Sequence, residues 1–281
     1  MTELTGKPVS DRICEDLKET VSALKAKGVI PTLAVIRVGE REDDLAYERG
    51  LKKKFEANEC NVVIKELPED VTQETLDNVA KALGEDDSIH GILMFRPLPK
   101  GLTDKNIVRS IKAGKDSDAM GMENMARLFA GDEEGFAPCT AQAVIELIKY
   151  YGIDLKGKKV TVVGRSLVIG KPVALMLIKE NATVTVCHTK TKDLASECRN
   201  ADIIVAAAGS AKMIGKDHVR EGQIVIDVGM NVDEEGKLCG DVDLDSIKDI
   251  IEAGTPVPRG VGSVTTSVLL KHVVQNAARS V

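Results

Sequence analysis

Val160-Thr-Val-Val-Gly164-Arg-Ser-Leu-Val-Ile-Gly170-Lys-Pro172 combines an apolar strand, a turn bounded by two glycines, and the opening of a helix with proline near its first turn. A turn of this kind presents backbone N–H groups and a helix N-terminus to a phosphate, so it predicts a dinucleotide-binding domain. The spacing departs from G-x-G-x-x-G, and taken alone it is also compatible with a plain strand-to-helix connection. The downstream chain decides between the two. Strands are expected at Lys159 to Val163, Thr183 to Cys187, Ile203 to Ala207 and Ile224 to Val228, with helices at Lys171 to Lys179 and Lys192 to Arg199. Near-continuous Val/Ile runs suit parallel strands covered on both faces. Ala206-Ala-Ala-Gly209 and Asp227-Val-Gly229-Met230 place small residues where successive strands end, at the carboxyl edge where α/β sheets bind ligands.

The residues before this domain repeat the rhythm with different letters. Helices are expected over Ser10 to Lys27, Asp44 to Asn58 and Gln73 to Leu83, and strands over Leu33 to Val38, Asn61 to Leu67 and Gly91 to Phe95. Parallel strands need crossover helices, so this half is also read as a mainly parallel α/β domain. A loop-rich stretch from Pro97 to Pro138 follows, then a linking helix over Ala141 to Tyr151 capped by Thr140. A final helix from Thr265 to Ala278 is expected to return to the first domain. The expected division is residues 1–140 with 260–281, and a Rossmann-type NAD(P)-binding domain at 141–259.

Composition narrows the functional classes. A chain of 281 residues with 43% hydrophobic content can bury two cores. The formal charge of -6 is not segregated, and aromatics are only 2%, which disfavours nucleic acid and base-stacking platforms. No apolar run approaches the roughly 20 residues of a membrane span, and no signal peptide is evident, so a cytoplasmic protein is expected. The six cysteines form no Cys-x-x-Cys pair, and no metal site is expected. After the second strand of the nucleotide domain, His188-Thr189-Lys190-Thr191 stands where an acid would hold the ribose of NAD. With Arg165 it makes a basic, hydroxylic rim that favours NADP, with NAD as the alternative.

An ordered set of motifs then resembles one family nearly end to end: Tyr47, Gly91-Ile-Leu-Met, Pro97-Leu-Pro99, Lys115-Asp-Ser-Asp118, Pro138-Cys-Thr140, Val163-Gly-Arg-Ser166, Gly170-Lys-Pro172, Asp227-Val-Gly229, Gly240-Asp-Val242 and Thr255-Pro-Val-Pro258. The chain is similar to the methylenetetrahydrofolate dehydrogenase/cyclohydrolase family. The resemblance implies two α/β domains flanking a cleft, a tetrahydrofolate derivative as substrate, NADP, and a homodimer. It further implies Gly164, Arg165, Ser166, Thr189, Gly209, Met230 and Thr265 on the cofactor, with Tyr47 and Asp118 as catalytic positions. Substrate contacts are expected from Tyr47, Leu51, Phe95, Arg96, Asp118, Pro258 and Arg259.

The departures from the family pattern are concentrated in the first domain. The family's Tyr-x-x-x-Lys carries Leu51 in place of the lysine, and its glutamine before Leu-Pro-Leu-Pro is Phe95, followed by Arg96. Ala119 and Arg259 occupy places usually held by glycine, and Ser263 a place usually held by proline. Hydride removal from the N5-CH2-N10 bridge needs alignment, whereas opening the methenyl ring needs water and a positioned acid/base. The expectation is therefore a dehydrogenase with weak or absent cyclohydrolase activity. Alternatives are the ordinary bifunctional enzyme, with Lys54 or a water chain replacing the lysine, and a catalytically inactive folate- or nucleotide-binding protein. A shikimate-type or amino-acid dehydrogenase is disfavoured, because its substrate-binding pattern is missing.

Overall fold

Two parallel sheets organise the chain. The computed structural model describes residues 1–281, the side chain of Ser110 excepted. In the first half the elements are β1 (Thr2–Glu3), α1 (Gly6–Ala26), β2 (Thr32–Val38), α2 (Glu42–Ala57), β3 (Asn61–Leu67), α3 (Gln73–Glu85), β4 (Gly91–Met94), α4 (Lys105–Ser110) and α5 (Met122–Ala130). The second half adds α6 (Cys139–Tyr150), β5 (Lys159–Val163), α7 (Gly170–Lys179), β6 (Thr183–Cys187), α8 (Leu194–Arg199), β7 (Ile203–Ala206), β8 (Ile224–Asp227), β9 (Asn231–Val232), β10 (Leu238–Cys239), α9 (Leu244–Ile247), β11 (Ala253–Gly254) and α10 (Gly262–Arg279).

Contacts divide the chain into two compact units: Ile13–Ala137 with Leu269–Val281, and Met1–Arg12 with Pro138–Val268. The expected division gave the first residues to the other domain. They fall here because β1 pairs in parallel with β11, Thr2 opposite Ala253. Both long terminal helices, α1 and α10, change unit along their length.

The first unit holds a three-stranded parallel sheet in the order β3-β2-β4. Its central strand is buried at every position, as expected for Leu33-Ala-Val-Ile covered on both faces. Arg37 is the exception in kind: it is buried on β2, and its guanidinium meets Glu48 of α2 at 2.9 Å and Glu66 at 3.2 Å. Leu76, Ala80 and Leu83 of α3 pack on Ala34, Ile36, Ile92 and Met94 in one apolar cluster. The segment expected to be loop contains α4, a single 3-10 turn and α5. These helices are short; in α5 the apolar residues Met122, Met125, Ala126 and Phe129 recur at helical spacing, but Met122 and Phe129 are exposed.

The second unit holds a six-stranded parallel sheet in the order β1-β11-β8-β7-β5-β6. Helix α6 begins two residues earlier than expected and Pro138, not Thr140, stands at its N-cap. Helix α8 is capped by Asp193, whose carboxylate accepts the Ser196 N–H. Among the described residues the six cysteines are outside any disulfide, and all but the partly exposed Cys14 are buried. Burial pushes the Cys60 and Cys198 thiols up to about 12, as inert structural groups. Among the described residues no helix is long and apolar enough to cross a membrane.

Candidate functional site

In the first unit the predicted substrate residues gather at the carboxyl end of β4 and on the helix that follows β2. Phe95 directly continues β4, its N–H donating to the Ile36 carbonyl at 3.0 Å, and its ring packs 5.5 Å from that of Tyr47 on α2. Tyr47 is 39% exposed, whereas Leu51, one turn further along α2, is 0% exposed. The position that carries a lysine in the family pattern is therefore a sealed apolar one here.

Arg96 extends from the next residue. Its guanidinium lies between two carboxylates, 3.7 Å from Asp104 and 3.8 Å from Asp118. Asp118 is held by a loop whose organiser the sequence reading missed. Buried Asp116 accepts the N–H groups of Met120 and Gly121 at 2.8 and 2.7 Å. The Asn124 amide, also buried, donates to the Asp116 carboxylate and accepts the Phe136 N–H. A recurring Asp-x-Asp pair was the available signal, but it does not say which aspartate faces inward. Lys115 donates to the Asp86 carbonyl at 2.7 Å, and burial lowers its ammonium pKa, with Lys112 adding to the effect.

Of the neighbouring lysines, Lys52 and Lys54 each have contacts on their own helix face. Lys52 donates to Glu48 at 2.6 Å. Burial raises the Glu48 carboxyl, but hydrogen bonds from Lys52 and Arg37 outweigh it and leave the pKa lowered. Lys54, named above as a substitute, instead lies 4.0 Å from the Cys14 sulfur of α1. A residue three positions on from Leu51 lies only about 60° around the helix but about 4.5 Å further along its axis, where Cys14 is its neighbour.

In the second unit the phosphate turn has the close backbone approach that its glycines suggested. Gly164 has φ +134°, and a Cβ there would overlap the Ala207 carbonyl; one at Gly170 would overlap the Gly164 carbonyl. Ser166 Oγ accepts the N–H of Ile169 at 3.1 Å and of Gly170 at 3.5 Å, closing the entry to α7. Arg165 and Ser166 are exposed. The β6 turn is closed by the His188 N–H donating to Thr191 Oγ1 at 2.9 Å, leaving Thr189 and Lys190 exposed at the same edge of the sheet. Gly209 adopts φ +67°, Met230 is 68% exposed, and Thr265 is half-buried near the start of α10. Pro258 and Arg259 are exposed, the latter at φ 85°. A glycine-bounded turn with an exposed basic and hydroxylic rim fits a phosphorylated dinucleotide.

This arrangement, a parallel doubly covered sheet with a phosphate turn joined to an α/β unit bearing a carboxylate–guanidinium cluster, defines a two-domain dinucleotide-linked oxidoreductase. The chain belongs to the tetrahydrofolate dehydrogenase/cyclohydrolase family: residues 4–118 match its catalytic domain and residues 138–281 its NAD(P)-binding domain. It is 52% identical over 274 residues to the bifunctional protein FolD of Carboxydothermus hydrogenoformans, covering 97% of this chain and 96% of that protein. Its fold is similar to that of the bifunctional FolD dehydrogenase/cyclohydrolase of Campylobacter jejuni, with TM-score 0.97, 42% identity and all of both chains covered. The Trypanosoma brucei methylenetetrahydrofolate dehydrogenase-cyclohydrolase, solved with NADP and an inhibitor, gives TM-score 0.93 at 36% identity, covering 100% of this chain and 98% of that one.

Proposed function

We propose that this protein oxidises 5,10-methylenetetrahydrofolate to 5,10-methenyltetrahydrofolate with NADP and also hydrolyses the methenyl product. The bifunctional names of the relatives support this second activity better than they support the expected dehydrogenase with weak or absent cyclohydrolase. The observation that carries the proposal is the grouping of Tyr47, Phe95, Arg96 and Asp118 in one unit of a chain whose other unit has the phosphate turn.

In this reading Asp118 accepts hydrogen bonds from the pterin ring, Arg96 holds its carboxylate, and Tyr47, backed by Phe95, which is buried rather than open to substrate as expected, offers a partly apolar surface to the bridging carbon. Pro258 and Arg259 are further substrate contacts. NADP, when bound, supplies the hydride acceptor. Gly164, Arg165 and Ser166 hold its phosphates, with Thr189, Gly209, Met230 and Thr265 as further contacts. Hydride removal requires these residues to align the substrate, not to move a proton. Ring opening does require proton movement, and we assign its relay through water to the hydroxyl of the partly exposed Tyr47. A homodimer in the cytoplasm completes the proposal, and sedimentation equilibrium tests the dimer.

The sealed position of Leu51 favours a second reading, the dehydrogenase alone. Paired assays decide between them. Absorbance at 340 nm follows reduced cofactor, and decay of methenyltetrahydrofolate supplied separately follows hydrolysis. Hydrolysis above the buffer rate supports the bifunctional reading; a dehydrogenase without it leaves the second. Absence of both rejects enzyme activity altogether.

A further inference from the structure

The loops that end β7 and β8 are tied together by two carboxylates that the family comparison leaves without a role. Asp241 is 0% exposed. Its Oδ2 accepts the N–H groups of Ala208 at 2.6 Å and Gly209 at 3.0 Å, and its Oδ1 accepts the Ser210 N–H at 2.8 Å and the Asn231 amide at 2.9 Å. Asp227, at 3% exposure, ends β8. Its Oδ1 accepts the N–H groups of Gly229 at 2.9 Å and Asp241 at 3.0 Å, and its Oδ2 that of Val242 at 3.0 Å. The two carboxylates thus act in series: Asp227 fixes the backbone at Asp241, and the Asp241 side chain fixes residues 208–210 and Asn231. The packing leaves no slack, since a Cβ at Gly240 would overlap the Asp227 carboxylate and one at Gly229 the Asp241 carboxylate.

A buried anion saturated with N–H donors is rigid, because losing any one donor exposes charge to a low-dielectric interior. It also consumes the donors. Three successive N–H groups of the kind that cradle phosphate in other proteins face an internal carboxylate instead. The N–H groups of residues 208–210 are therefore already satisfied, unlike those of an open phosphate cradle.

We infer that Asp227 and Asp241 are positioning residues for the dinucleotide, holding the loops that carry Gly209 and Met230 in their binding shape before the cofactor arrives. This rests on the NADP reading above. The test has two arms. Amide hydrogen exchange on the full chain, with and without NADP, should find the amides of 208–210, 229, 241 and 242 slow in both states, changing less than about threefold on binding. Fast exchange without NADP, slowing only on binding, would overturn the proposal. In the second arm NADPH fluorescence titration compares the native chain with Asp241→Asn, whose amide turns an N–H donor towards backbone donors. Affinity should fall at least tenfold and KM for NADP should rise in step, with KM for methylenetetrahydrofolate and kcat within about threefold. Unchanged NADPH affinity in the folded variant overturns the positioning role. A native chain that binds no NADPH overturns the NADP reading itself. If Asp241→Asn does not fold, the exchange arm decides the matter alone.

Discussion

The ring of Tyr47 lies 5.5 Å from that of Phe95 at an interplanar angle of 53°, so the two side chains share one aromatic contact beside the buried Leu51. Where the family pattern pairs a lysine with a glutamine, this chain has a hydrocarbon wall. An ammonium introduced there loses its hydration and has no acceptor. Leu51→Lys alone should cost about 3 kcal/mol of stability, in the range measured for an uncompensated buried charge. Adding Phe95→Gln should recover part of that loss and raise the ratio of cyclohydrolase to dehydrogenase rate by at least tenfold. Urea denaturation and the paired assays check both. A folded, dehydrogenase-active double variant with an unchanged ratio would count against the assigned roles.

Two positions that carry glycine in the family pattern keep glycine-like backbone without glycine. Ala119 has φ 49° and Arg259 φ 85°. A left-handed conformation costs an L-residue about 1 kcal/mol relative to glycine. Ala119→Gly and Arg259→Gly should therefore each raise the unfolding free energy by about 1 kcal/mol. Thermal unfolding is the measurement, and a loss of stability in both would show that neither backbone is strained.

The Asp227 carboxyl is raised from 3.8 to about 6: burial dominates, the N–H groups of Asp241, Val242 and Gly229 oppose it, and the Asp241 charge adds to the rise. Between those values the native chain holds a proton that the unfolded chain has released. Its contribution is thus complete below pH 3.8 and lost as pH rises towards about 6, with a slope of at most about 1.4 kcal/mol per pH unit. Asp227→Asn should lack that component. Denaturation midpoints at pH 4, 5 and 6 for the two chains give the difference directly; parallel curves would refute it.

The NADP preference is assigned to the exposed basic rim. Removing a guanidinium that contacts a phosphate should cost about 1.5 to 3 kcal/mol. Arg165→Ser should accordingly raise KM for NADP at least tenfold while leaving KM for NAD within about threefold. Equal effects on both cofactors would move Arg165 from the 2'-phosphate to the shared pyrophosphate.

Much of the framework was legible in the sequence because its signals are local. The strand Asn61–Leu67 has the bounds that its β-branched pattern predicts, and the Gly164 and Gly170 spacing marked a turn whose backbones nearly touch. What escaped detection depends on distant partners. Helix α5 has apolar residues at helical spacing, Met122, Met125, Ala126 and Phe129, but spans only nine residues in a stretch rich in turn residues, and Gly131 at its C-terminus adopts the left-handed cap that such helices favour. The inward-facing roles of Asp116 and Asn124 arise from the fold of residues 113–136, and nothing in Asp116-Ser-Asp118 distinguishes the structural carboxylate from the one available to a ligand. Likewise Lys54 shares a helix face with Leu51 in the sequence, and only the fold shows that its ammonium lies 4.0 Å from the Cys14 sulfur.

The seven hydrogen bonds converging on Asp227 and Asp241 also bear on the thermodynamics of cofactor capture. A surface already ordered by internal anions surrenders little conformational entropy when a ligand settles on it, so more of the gross interaction energy survives as affinity. Association should then follow a single kinetic phase, with no slow isomerisation of these loops after the encounter.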